Sequence, residues 1–373
     1  MATLARTDTS LVGRWWWTVD KWTLAAIGSL VVLGFIFTLA ASPAVAERLG
    51  LDSFYFARRQ MLFLTLGLAG MIVVSFLSPL GIRRISVALT LLSVILMILT
   101  IIFGSEIKGA TRWLHFKGFS IQASEFVKPG FCVLTAWIVS LQKVDNEFPA
   151  YAISAGLYII IVGLLLAQPD VGMAIVISVI WGVQVFIFGL PLIWVICIGL
   201  LFLGGGFVSY LTFFHVRSRV DRFLDPDAIE GFQVGRALAA FRNGGWVGRG
   251  PGEGRVKEVL PDAHADFIFA VVGEEFGLVA CLIVICLFLF IVLRGISCLL
   301  RNNNLFVLLA VIGLLIQFSI QAIINMASTL NLMPPKGMTL PFISYGGSST
   351  VALGITLGMV LALTRNSFSQ RRW

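Results

Sequence analysis

Ten apolar runs divide this chain, at roughly 22–41, 61–79, 85–103, 126–141, 151–167, 171–188, 190–210, 267–293, 305–329 and 342–364. Each approaches the ~20 residues that an α-helix needs to cross a bilayer. In lipid, backbone N–H and C=O groups must pair within the segment, so runs of this kind have to be helices. With 58% hydrophobic and 12% charged residues, the chain lies far from the balance of a soluble domain. The expected fold is all-α and polytopic. A tail at 1–21 leads into one membrane domain at 22–365 with about ten transmembrane helices and one long exterior loop at about 211–266. A second tail follows at 366–373.

Charge sets the expected orientation. Arg6, Arg14 and Lys21 precede the first run, and Arg365, Arg371 and Arg372 follow the last. Short loops on that side carry Arg83, Arg84, Lys143, Arg294 and Arg301. The positive-inside rule makes this the cytoplasmic side and puts both termini there. Trp15, Trp16, Trp17 and Trp22 cluster at the same boundary, where indole prefers the headgroup level. The first run is long enough to remain in the membrane, so no cleaved signal is expected. The opposite side is also basic, with Arg48, Arg58 and Arg59, then Lys108, Arg112 and Lys117, and then the arginines of 211–266. The net charge of +8 therefore lies partly across a membrane from the chromosome, which argues against nucleic-acid binding. It fits a polyanionic substrate at the exterior leaflet or anionic lipid headgroups. The five cysteines lie in or beside apolar runs at spacings that suit neither a metal nor a disulfide framework.

Within the long loop, Phe232 to Trp246 has apolar residues at helical spacing and predicts a short interfacial helix ending at Gly244-Gly245. Gly248 to Gly254 is dense in glycine but lacks the Gly-Lys-Ser/Thr ending and the GxGxxG spacing, which excludes a phosphate loop.

Several charges fall at membrane depth, where they are costly and mark functional sites. The string Leu260 to Gly277 puts Asp266 where the long loop meets a membrane run, with Glu274 and Glu275 two turns deeper. Glu125 and Lys128 are three apart and share a helix face. Asp170 sits in a tight link between two runs, and Lys336 lies in a stretch broken by prolines and glycines. Taken singly, Asp170 and Asp266 read equally well as helix caps, and Glu125–Lys128 as a structural ion pair. Together with Arg112, all are assigned to the exterior side, where one polar cavity would account for them jointly.

The strings GATRWL, QASEFVKPG, AQPDVG, RFLDP, GPGEGRVKEVLPDAHADFIFAVVGEEFG and LMPPKGMTLPFISYGGSS resemble the SEDS family (shape, elongation, division, sporulation). Their order and spacing agree over roughly 20–365, and Lys-Gly-Met-Thr-Leu-Pro before Phe-Ile-Ser-Tyr-Gly-Gly-Ser-Ser favours the division branch over the elongation branch. The resemblance implies a ten-span peptidoglycan glycosyltransferase of the bacterial inner membrane, acting at the division site on lipid II, a disaccharide-peptide on undecaprenyl diphosphate. It implies Asp266 as the catalytic general base of an inverting transfer. Arg112, Trp113, Glu125, Lys128, Asp170, Lys336, Ser344 and Tyr345 are implied as substrate-binding positions. The resemblance singles out no cofactor, and a divalent cation held by Asp170 or Glu125 is compatible with the chemistry. The implied partners are a single-span division transpeptidase of the penicillin-binding type, other division proteins and membrane lipids. A lipid II flippase and a non-catalytic scaffold for the transpeptidase are the alternatives.

Overall fold

The computed structural model describes residues 10–104, 111–116, 119–212, 214–224, 233–300, 303–334 and 336–365. Arg6, Lys108, Lys117, Arg301, the end of the RFLDP string and the tail at 366–373 lie outside the described residues. The first helices are α1 (Leu11–Thr18), α2 (Lys21–Arg48), α3 (Tyr55–Ser75) and α4 (Pro79–Phe103). A small antiparallel hairpin, β1 (Leu114–Phe116) and β2 (Phe119–Ile121), leads to α5 (Ala123–Leu141), α6 (Ala150–Ala167), α7 (Val171–Phe188) and α8 (Leu192–Thr212). Next come α9 (Phe214–Leu224), α10 (Gln233–Gly244), α11 (Val256–Val259), α12 (Ile268–Glu275) and α13 (Gly277–Leu299). The last are α14 (Leu305–Thr329) and α15 (Gly347–Thr364).

Every apolar run is carried by a helix. Among the described residues, nine helices are long and apolar enough to cross a membrane: α2 to α7, α13, α14 and α15. The seventh run corresponds to α8. The chain is thus an almost entirely helical, polytopic integral membrane protein, and a helix, α10, forms within the stretch where an interfacial one was expected.

Two boundaries differ from the sequence reading. The eighth run is not one helix. It breaks at Phe276–Gly277, because Gly277 takes a left-handed φ of +76° that an α-helix cannot continue. Glu274 and Glu275 therefore close the short buried helix α12 instead of lying two turns inside a span. The tenth run begins its helix only at Gly347, because Phe342, with φ +61°, turns the chain before it.

Glycine permits the close contacts at the first of these breaks. A Cβ on Gly277 would lie 2.4 Å from Gly248 N, and one on Gly248 would lie 2.2 Å from Glu275 O. Gly277→Ala combines this clash with a left-handed backbone, so it is expected to cost more than about 1 kcal/mol. The loss should appear as a lower thermal midpoint and faster proteolysis between 248 and 257.

Polar contacts gather at two ends of the bundle. The end that carries α1 and Arg365 is tied by Trp15 Nε1 to Ser75 Oγ (2.8 Å) and by Arg294 to the Asp20 carboxylate (2.6–3.1 Å). Arg365 also donates there to Leu77 O (2.8 Å). The opposite end carries the hairpin, α10 to α12 and the segment 336–346. Between them α5, α14 and α15 form the most buried part of the bundle, and α15 lies against α3 with Gly354 directly over Gly67 O.

Candidate active site

Asp266 lies in the run of turns at 261–267 that precedes α12. Its side chain is half-buried and faces the extended segment after Lys336. A Cβ on Gly337 would lie 3.3 Å from Asp266 Oδ2. Asn325, on α14, holds this arrangement. Its Nδ2 donates to Asp266 O (3.0 Å) and to Met338 O (2.6 Å).

Lys336 extends from this place toward the start of α7. A Cβ on Gly172 would be 3.6 Å from Lys336 Cδ and 3.8 Å from Asp170 Oδ1. Asp170 caps α7 by accepting from Met173 N (3.4 Å), as its residue type favours. It also lies 3.8 Å from Arg112 Nη1, and Arg112 donates to Pro169 O. The second Asp170 oxygen, Oδ2, is buried without a hydrogen-bond partner among the described residues. Arg112 and Trp113 precede the hairpin, which is tied to α15 where Ser348 Oγ accepts from Gln122 N (3.1 Å).

A second buried cluster adjoins the first. Lys128 Nζ is 2.8 Å from Glu125 Oε2 and donates to Gln321 Oε1 (2.8 Å). The two charged side chains are 1% and 5% exposed, so neither charge could be buried without the other. Gln321 Nε2 donates onward to Thr339 O (3.2 Å) and Ser349 Oγ (2.9 Å). The segment 336–340 is therefore bounded by Asp266 on one side and by Glu125–Lys128 on the other, with α14 supplying both connections.

The long loop is tied to α12, the helix that follows Asp266. Glu275 Oε1 pairs with Lys257 Nζ at 2.6 Å, and Lys257 also donates to Ala40 O (3.1 Å) and Gly252 O (2.9 Å). Glu274 accepts from Arg255 N (3.2 Å) and Val256 N (3.0 Å), while Glu275 Oε2 accepts from Gly252 N (2.8 Å). Arg48 donates to Leu260 O (3.1 Å). The two deep carboxylates are thus fully engaged in holding the glycine-rich loop.

Ser344 and Tyr345 are placed differently. Ser344 is buried, and its Oγ accepts Leu340 N (2.8 Å), which closes the turn ahead of α15. Tyr345 N donates to His264 O (2.9 Å), and its ring packs on Phe56 and His264. His264 is only two residues from Asp266, yet burial pushes its imidazole down to about 4. It is neutral at ordinary pH and stacked in an apolar wall, and Asp266 is the more accessible of the two side chains. Among the described residues no group of three or more His, Cys, Asp or Glu is disposed to hold a metal ion. Asp170 and Glu125 each have a cationic neighbour instead. The residues present do not fit a cation site, and no step is derived through one.

Comparison with known proteins places this geometry. The model for the FtsW/RodA/SpoVE cell cycle proteins matches residues 21–369. The chain belongs to this family. A relative from Caulobacter vibrioides, called "Probable peptidoglycan glycosyltransferase FtsW", is 45% identical over 362 residues, covering 97% of this chain and 93% of its own. Another of that name from Alcanivorax borkumensis is 35% identical, covering 92% of each. A solved structure described as "Structural coordination of polymerization and crosslinking by a peptidoglycan synthase complex" matches with TM-score 0.75 at 28% identity. It covers 93% of this chain and 97% of that one. The Thermus thermophilus rod shape determining protein RodA matches with TM-score 0.68 at 26% identity, covering 94% and 97%.

Within this FtsW/RodA/SpoVE chain, Asn325 and Gln321 are the site residues that sequence reasoning missed. A signal was present: Gln317, Gln321 and Asn325 recur every four residues in an apolar run, which puts three amides on one helix face.

Proposed function

We propose that the chain is a peptidoglycan glycosyltransferase that polymerises lipid II at the outer leaflet of the bacterial cytoplasmic membrane during cell division. Both termini would lie in the cytoplasm, and a single-span transpeptidase would be the partner. The observation that carries this reading is one accessible carboxylate, Asp266, set against the segment that bears Lys336 and at the same bundle end as Arg112. The relatives' names and the complex to which the fold is similar support it.

The 4-hydroxyl of the acceptor GlcNAc attacks the anomeric carbon of the donor MurNAc as Asp266 takes its proton. A new C–O bond forms with inversion, the bond from that carbon to the diphosphate oxygen breaks, and undecaprenyl diphosphate departs. A diphosphate needs charge stabilisation more than protonation, so the second carboxylic acid of glycoside hydrolysis is dispensable. Lys336 and Arg112 are the cations placed to receive it, arginine being suited to bidentate contact with phosphate oxygens.

Fluorescent lipid II given to the full-length chain in liposomes tests this reading. Release of undecaprenyl diphosphate with a ladder of glycan products is expected. Translocation of the headgroup with no polymer would instead make the chain a flippase.

A further inference from the structure

We propose that Asn325 is a positioning residue, which sets the separation between the Asp266 carboxylate and the Lys336–Gly337 backbone. This inference rests on the reading of Asp266 as general base. The Asn325 side chain touches neither the carboxylate nor the lysine. Its amide nitrogen bridges two main-chain carbonyls from separate parts of the chain, Asp266 O at 3.0 Å and Met338 O at 2.6 Å. A primary amide carries two N–H groups and can serve both acceptors at once. The Asn325 Oδ1 atom is buried and has no hydrogen-bond partner among the described residues, so the nitrogen alone makes the connection.

The support behind that amide is stiff. Asn325 is 1% exposed and lies in the 25-residue helix α14. One turn earlier, Gln321 takes the next carbonyl of the same segment, Thr339 O at 3.2 Å. Two amides on one helix face therefore hold consecutive carbonyls of an extended segment that belongs to no sheet. The Asn325 amide alone also reaches the Asp266 backbone. If it is removed, one buried and one part-buried carbonyl lose a donor, which buried backbone groups seldom tolerate. The two segments then lose this shared anchor.

The test uses full-length protein in liposomes with lipid II and four variants: Asn325→Asp, Asn325→Ala, Gly337→Ala and Asp266→Asn. Asn325→Asp keeps the shape but sets a carboxylate against two carbonyl oxygens. Misplacement of a reacting group by ~1 Å costs about 10²-fold, and a loss of that size in kcat is expected for both Asn325 variants. KM for lipid II should stay within about threefold, because the interaction is not one of ground-state binding. Gly337→Ala approaches the same displacement from the exposed side, since its Cβ would press on Asp266 Oδ2 at 3.3 Å. It should reproduce the lower kcat at a nearly unchanged KM without touching α14.

Wild-type kcat in Asn325→Asp, with Asp266→Asn inactive, would overturn the positioning role and leave the base assignment intact. Polymer formation by Asp266→Asn at the wild-type rate would remove the base assignment itself. Failure of both Asn325 variants to fold, with wild-type kcat for Gly337→Ala, would make Asn325 part of the scaffold and also overturn the proposal.

Discussion

Asp266→Asn is expected to lower lipid II turnover by about 10²–10⁴-fold, the usual worth of a positioned general base, with little change in stability. The two side chains have the same shape, and an amide cannot accept the hydroxyl proton. The backbone role of residue 266 survives the substitution, because Asn325 bonds its main-chain oxygen and not its carboxylate. The half-buried side chain has no large desolvation to relieve. KM should therefore hold while kcat falls, the pattern of an interaction made only in the transition state. Continuous measurement of undecaprenyl diphosphate release, with thermal unfolding of the same preparation, checks both halves. A substantial rate in a folded Asp266→Asn protein would leave the chemistry without its base.

Lys128→Met is expected to have the largest effect on stability. Removing one partner of a buried ion pair costs about 3–5 kcal/mol, because the remaining charge is left uncompensated. Here Glu125 would lose its partner at 2.8 Å, and Gln321 Oε1 would lose its donor at the same distance. Gln321 also holds Thr339 and Ser349, so the disturbance should reach the segment beside Asp266. The double variant Glu125→Gln with Lys128→Met removes both charges and should recover much of the loss. That non-additivity marks a coupled pair. Unfolding midpoints of Lys128→Met, Glu125→Gln and the double variant in one detergent measure it, and equal midpoints for Lys128→Met and wild type would contradict the burial of the pair.

Much of the fold was legible because hydrophobic length is a one-dimensional property, and the apolar runs became helices, the eighth as two. The place of Asp266 beside Lys336 was legible in outline, because charges at membrane depth have few reasons to exist. The break at Gly277 was not legible. An apolar run shows no trace of a residue with positive φ unless the partner backbone at Gly248 is also known. Glu274 and Glu275 misled for a related reason. Their acceptors are satisfied by Lys257 and by main-chain N–H groups of the glycine-rich loop, contacts fixed only by tertiary packing. Ser344 closes a turn through its hydroxyl, a local role that a motif leaves unspecified. The small hairpin after Trp113 was likewise absent from the sequence reading, since its two strands are only three residues each.

The glycine contacts between the outer loop and the α12–α13 break have a mechanical consequence. Where main chain meets main chain with no intervening side chain, there are no rotamers to rearrange and slippage has no soft coordinate. Loop, short helix and the start of α13 should then translate as a single block under load, with the compliance lying elsewhere in the molecule. Crystallographic or spectroscopic comparison of two working states should find the internal distances of that block conserved even where its distance to neighbouring helices changes.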